Sequence, residues 1–324
     1  MRLMHRFFSR WQNLLGLLLV FFFIAVAIAA PVLSPQDTEN LGTVKIVGSI
    51  IDFTPRPPSS TAPLGTLSKS ISVYHSLVWG SRSALTFGLL VVAFTSLIGT
   101  LIGASSAYFG GFLNNFLMRI ADSFLAFPMI AAVVFITQLI TIWLNNVGVT
   151  YFAGWAVDPY HSANSMIVVP PNLPWIYFLL MKINPVMVAF ILFSWMPYAR
   201  LMNTSVTQIK NTEYIVAAKS IGARPLRIIF KHLLPNAITP VIVMAAKDVG
   251  GVVLLQATFT FIGLGGNSPW GALLASGRDW IINPGGILTY WWVFLPATLV
   301  LILFGMGWNL LGDGLNDALN PREN

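Results

Sequence analysis

Glu213-Tyr214-Ile215-Val216-Ala217-Ala218-Lys219-Ser220-Ile221-Gly222-Ala223-Arg224-Pro225 is a self-contained helix signal lying between two long apolar stretches. Thr212 stands where an N-cap is wanted, and Glu213 suits the positive end of the helix dipole. Ala217, Ala218 and Ile221 recur with Tyr214 at helical spacing, which predicts one small-residue face able to meet a partner surface closely. Gly222 falls where a left-handed residue commonly closes a helix, and Pro225 prevents continuation. A second short helix is expected over about 226–234, ending at Pro235. The simpler alternative for the whole stretch is an amphipathic helix lying at a membrane interface.

The flanking stretches set the solvent. Of the 324 residues, 56% are hydrophobic and 9% charged, against about 25% charged in an ordinary soluble domain. So few charges cannot cover a water-facing surface of this size. The chain therefore reads as an all-α, polytopic membrane protein, and the same composition excludes disorder, collagen and coiled coil. Net charge is +7, yet the 18 basic residues punctuate apolar runs instead of gathering on one solvated face. That pattern argues for membrane orientation and against a nucleic-acid partner. The absence of cysteine excludes disulfides, thiolate metal sites and a cysteine nucleophile.

A bilayer core takes about 20 apolar residues per helix. About six transmembrane helices are expected, at roughly 14–33, 84–107, 123–147, 183–199, 237–264 and 287–311. The fourth is the weakest, interrupted by Lys182 and Pro185 and extending back toward Trp175. Phe109-Gly110-Gly111 makes a turn after the second. Arg2, Arg6 and Arg10 precede the first span and place the N-terminus in the cytoplasm; six spans return the C-terminus there. Arg200, Lys210, Lys219, Arg224, Arg227 and Lys231 then make the segment between the fourth and fifth spans the most basic cytoplasmic piece. A cleaved signal peptide ending near Ala27-Ile28-Ala29 is the rival for the first span, but its apolar region would normally run only about 7–15 residues. On this reading residues 1–34 hold the cytoplasmic N-terminus and first helix. Residues 35–82, rich in Pro, Ser and Thr, form an external segment, and 83–324 form the membrane core. A second external segment, about 148–182, carries Tyr151, Trp155, Tyr160, Trp175 and Tyr177, residues suited to the membrane interface.

Glu213-x-x-x-Ala217-Ala218-x-x-x-Gly222, followed by Ile228-Ile229-Phe230-Lys231-His232-Leu233-Leu234-Pro235-Asn236, resembles the EAA loop of ABC importer permeases, here about residues 200–236. The nearer resemblance is to the second permease subunit of bacterial dipeptide and oligopeptide importers. It is carried by Pro63-Leu64-Gly65-Thr66, Tyr108-Phe109-Gly110-Gly111, Leu117-Met118-Arg119-Ile120-Ala121-Asp122, Leu125-Ala126-Phe127-Pro128 and Ser194-Trp195-Met196-Pro197-Tyr198-Ala199-Arg200. Phe261-Ile262-Gly263-Leu264-Gly265 and the stretch from Leu311 through Asp313 and Asp317 to Pro321 complete it.

The resemblance implies a type I ABC importer permease fold in the inner (plasma) membrane. The chain would form half of a peptide pathway and bind no cofactor itself. ATP and Mg would be bound by two partner ATPase subunits. A second homologous permease and an extracellular or periplasmic substrate-binding protein would complete the assembly. Glu213, Ala217, Ala218, Gly222, Ala223 and Arg224 would make the ATPase-coupling helix and its turn. The chain departs from the family pattern in three places: Leu67-Ser68-Lys69-Ser70 lacks an expected acidic pair, the 148–182 segment is long, and Gln256 stands where an acid is expected.

Lys247 and Asp248 fall inside the fifth span, where a charge costs roughly 2.5–3.5 kcal/mol on insertion scales. A water-lined path, with Gln256 further along, or buried pairing with another span would each accommodate them. Gly99 and Gly103 form a GxxxG pair suited to helix packing. Arg119 and Asp122, three apart on one helix, are expected to pair. No P-loop, H-E-x-x-H or G-x-S-x-G occurs, and the four histidines are too scattered for a metal site. The chain is therefore expected to be no enzyme. Carriage of nickel or an oligosaccharide by the same kind of permease is one alternative. An intramembrane aspartyl protease is another, disfavoured because Leu310-Leu311-Gly312-Asp313 lacks the first glycine of its motif. A scaffold or insertase-like protein without a substrate is the third.

Overall fold

A computed structural model of the chain describes residues 7, 8, 10–36, 42–49, 51–146, 184–281 and 289–319. These are mostly helical; the described residues between 42 and 72 form an irregular connection with two isolated β-bridges and a 3-10 turn at Ser68–Ser70. The helices are α1 Trp11–Leu33, α2 Val73–Phe109, α3 Gly111–Leu125, α4 Met129–Asn146, α5 Pro185–Phe193, α6 Met196–Ile209 and α7 Glu213–Ser220. They continue with α8 Pro225–Arg227, a π-helical turn Ile228–Leu233, α9 Leu234–Ala237, α10 Thr239–Phe261, α11 Pro269–Ile281 and α12 Trp291–Leu319. Five stretches are long and apolar enough to cross a membrane: α1, α2, α5 with α6, α10 and α12. Counting α3 and α4, which meet at an 88° bend, as one broken span gives six. The protein is a multi-pass, all-α membrane protein.

Helix directions follow from what touches what. α1 starts where α12 ends, since Arg10 Nη1 lies 3.1 Å from Asp317 Oδ2. α2 ends beside the end of α6, where Lys210 Nζ donates to Ala107 O at 3.0 Å. Lys247, early in α10, meets Asp313, late in α12. The starts of α1 and α10 and the ends of α2, α6 and α12 therefore share one end of the bundle with α7, here called the loop end. At the far end, Asn184 just before α5 donates to Gly266 O just after α10, at 3.1 Å. α11 also lies there, with Trp280 Nε1 donating to Ser68 Oγ at 3.0 Å.

The main core joins α1, α2, α5, α10, α11 and α12. Its centre is aromatic: Phe23, Trp270 and Phe304 stack edge-on with centroids 5.1–5.9 Å apart. Trp270 is fully buried, and its Nε1 donates to Leu77 O at 3.1 Å. A buried indole N–H usually finds such a partner. The chain after α1 folds back over the far end. Ile46 and Thr66 bridge to Ile71 and Ser72, while buried His75 meets Ser34 Oγ at 2.7 Å through Nδ1.

Four expectations are corrected. α2 begins at Val73, well ahead of residue 84, because Ser72 caps it by accepting from His75 N–H at 3.3 Å. The third span is not one rod: it breaks between Leu125 and Met129, at Pro128. Pro235 does not end the second loop helix. The chain widens into the π turn Ile228–Leu233 and passes through Pro235 near the start of α9, with Asn236 Nδ2 taking the His232 carbonyl at 2.6 Å. A π turn absorbs the clash and the missing donor that a proline brings to an α-helix. Asp122 is engaged not by Arg119 on its own helix but by Arg200 of α6, whose Nε donates to Oδ1 at 2.8 Å. The expectation about 148–182 lies outside the described residues.

Candidate functional site

The helix α7 is closed as its sequence demands. Gly222 adopts φ +78°, a left-handed conformation that glycine enters without the penalty a side chain brings. Ala223 N–H donates to Ala218 O at 3.1 Å and Gly222 N–H to Lys219 O at 2.9 Å, the paired bonds of a Schellman cap. Arg224 is extended and hands over to Pro225, the first residue of α8. The start differs from expectation. Thr212 holds the N-cap position, but its hydroxyl donates backwards to Ile209 O at 2.7 Å instead of capping α7.

One side of α7 is anchored. Ile215 is fully buried and Ala218 nearly so. Ile215 packs in a second hydrophobic cluster with Ala104 and Ala107 of α2, Tyr198, Met202 and Val206 of α6, and Ile228, Ile229 and Leu233 of the π turn. Lys219 Nζ sits 5.3 Å from the Tyr108 ring at the end of α2, a cation–π contact. The loop is thus fastened to α2 and α6.

The other side is bare. Ile221 is 86% exposed, Leu226 68%, Val216 50% and Tyr214 44%, with Glu213, Ala217 and Arg224 exposed beside them. The expected single face is therefore split: Tyr214, Ala217 and Ile221 look outward, while Ala218 turns inward with Ile215 and Ala223 is half-buried. A cluster of apolar side chains on a polar, basic loop is what a docking surface requires.

The three residues proposed for the path are not brought together. Lys247 Nζ pairs with Asp313 Oδ1 at 2.6 Å across α10 and α12. Asp248 instead accepts from Tyr198 Oη at 2.7 Å, across α10 and α6. Gln256 lies roughly 12 Å further along α10 at 1.5 Å per residue. It is buried at the far end, donating to Gly266 O at 2.6 Å. Gly99 and Gly103 face α6: a Cβ on Gly99 would strike Trp195 O and Tyr198 Cβ, and one on Gly103 would strike Ala199 O. Close backbone approach of α2 and α6 depends on both.

Two partners were not foreseen from sequence. Tyr198 and Asp313 both stand in quoted motifs, but nothing local ties them to Asp248 and Lys247. The signal was the presence of two charges in an apolar span, which demands partners. Among the described residues no group of three or more His, Asp or Glu is placed to hold a metal ion.

A membrane bundle with an anchored, partly exposed helix between its fourth and fifth spans fits a transport permease. The chain belongs to the family of binding-protein-dependent transport system inner membrane components, which matches residues 96–324. It is 28% identical over 313 residues to the dipeptide transport system permease protein DppC of Alkalihalophilus pseudofirmus, covering 95% of this chain and 85% of that one. It is also 28% identical to the oligopeptide transport system permease protein OppC of Bacillus subtilis, covering 98% and 88%. To the glutathione transport system permease protein GsiD of Pectobacterium atrosepticum it is 28% identical, covering 94% and 85%.

Proposed function

We propose that the chain is a permease subunit of an ABC importer and forms half of a pathway for peptides across the inner membrane. ATP is hydrolysed by separate subunits that bind ATP and Mg, a second homologous permease supplies the other half, and a binding protein delivers cargo. The observation that carries this reading is the two-sided α7: Ile215 and Ala218 hold it to the bundle while Tyr214, Ala217 and Ile221 stand free. Peptide relatives covering nearly the whole chain support the cargo class. Both termini and the loop end lie in the cytoplasm, in keeping with the basic residues gathered in 200–236.

Mechanically, movement of the ATPase pair would pull on α7. The pull would reach α2 and α6 through Ile215, the π turn and the Lys219–Tyr108 contact. Glu213 favours the helix start, and Gly222 permits the cap without strain. Glu213→Arg and Gly222→Leu are expected to leave the subunit inserted while separating ATP hydrolysis from uptake in vesicles containing the whole complex. Normal coupled uptake by both variants would contradict the proposal.

A further inference from the structure

Tyr198 of α6 is 1% exposed and is held from three sides. Its ring belongs to the cluster that seats Ile215 of α7, where it is the one buried member with a hydroxyl. Its Cβ rests against Gly99 of α2, so closely that a Cβ on that glycine would collide with it. Its Oη donates to Asp248 Oδ2 of α10 at 2.7 Å. The same residue thus shares a core with the loop helix and is bonded to the fifth span.

Asp248 stands next to Lys247, whose Nζ pairs with Asp313 Oδ1 of α12 at 2.6 Å. The Lys247 stem crosses Gly312, where a Cβ would strike its Cγ. Adjacent residues point about 100° apart on a helix. One level of α10 is therefore tied to α6 on one side and to α12 on another. α10 also reaches the Ile215 cluster through Val241. That contact is aliphatic and can slide, whereas a hydrogen bond holds its partners to a narrow distance and angle. The Tyr198–Asp248 bond fixes the register of α10 against α6.

We propose that Tyr198 is a positioning residue for transport. Its ring takes up the movement of α7 through the Ile215 cluster. Its hydroxyl passes that movement to Asp248 of α10 and, by way of Lys247 and Asp313, to α12. Removing the hydroxyl leaves docking at α7 intact and breaks the transmission. This inference rests on the importer reading and carries it from the loop helix into the spans.

The test uses the complete transporter, with its binding protein, in vesicles of phosphatidylcholine. It reads the dialanine or trialanine imported per ATP hydrolysed in response to loaded binding protein. Copies that fail to fold drop out of both quantities and do not move the ratio. Tyr198→Phe keeps the ring and is expected to lower the ratio about tenfold, the scale of a lost hydrogen bond to a charged group. Asp248→Asn keeps an oxygen acceptor for the hydroxyl and is expected to stay near the wild-type ratio. Asp248→Leu is expected to fall as Tyr198→Phe does. Tyr198→Phe combined with Asp248→Leu is expected to fall no further than either alone, since both break the same bond. A wild-type ratio in Tyr198→Phe, whatever its thermal stability, would overturn the relay and leave the importer reading standing. So would equal losses in Asp248→Asn and Asp248→Leu, which would make the charge itself the working feature. Absence of uptake of either peptide by the wild type would overturn both.

Discussion

The two ends of the bundle are built by different means. At the far end the chain is hydrogen-bonded to itself: Trp79 to Ser34, His75 to Ser34, Trp280 to Ser68, and the residues before α2 knitted by short bridges. At the loop end, α7 is held by aliphatic side chains and one cation–π contact, and its outer face stays exposed among the described residues. Hydrogen bonds fix an orientation; an aliphatic plug transmits a push and tolerates small slippage. The contrast separates an end closed by its own hydrogen bonds from an end whose loop helix keeps an exposed face, the feature on which the proposed docking rests.

Ile215 is where this contrast breaks most readily. Truncating such a buried aliphatic to Ala costs roughly 2–5 kcal/mol. Ile215→Asp adds an unpaired charge and is expected to release α7 from α2 and α6. Protease cleavage within 200–236 should then accelerate, with uptake lost and the far end unaffected. Equal protection in the variant would mean that α7 is held by something other than Ile215.

Tyr198→Phe removes the one hydrogen bond seen between α6 and Asp248. A bond to a charged group contributes about 1.5–3 kcal/mol. Thermal unfolding of the purified chain should therefore fall, and Tyr198→Phe with Asp248→Leu should recover much of the loss. Failure of the double variant to recover would place the role of Asp248 elsewhere. The smallest effect is expected at the far end. Trp280→Phe removes a single neutral bond to Ser68, worth about 0.5–1.5 kcal/mol. It should shift stability slightly and leave ATP-coupled uptake alone; an uncoupled Trp280→Phe would erase the distinction between the ends.

The number and approximate places of the apolar runs were legible in the sequence, because each crossing takes about 20 apolar residues; their ends were not, since α2 starts at Val73 and runs for 37 residues. The closure of α7 was legible too, because Gly222 and Pro225 act within a few residues of themselves. What was not legible is long-range. On a helical wheel Ala217 and Ala218 lie about 60° and 40° to opposite sides of Tyr214, so the sequence could not say which would meet the bundle. Arg119 and Arg200 are equally good partners for Asp122 by charge, and only the packing of α3 against α6 chooses Arg200. The bend at Pro128 was visible as a residue but not as an angle. The helix α11 escaped notice because its 13 residues are too few to cross a bilayer and include Arg278 and Asp279.

Because the chain has no native cysteine, one placed at Ile221 would report alone. In the assembled transporter, Ile221→Cys should cross-link to an ATP-binding subunit and resist a membrane-impermeant maleimide added to intact cells. Labelling from outside, or cross-linking to the substrate-binding protein instead, would contradict the placement of α7 as the docking helix.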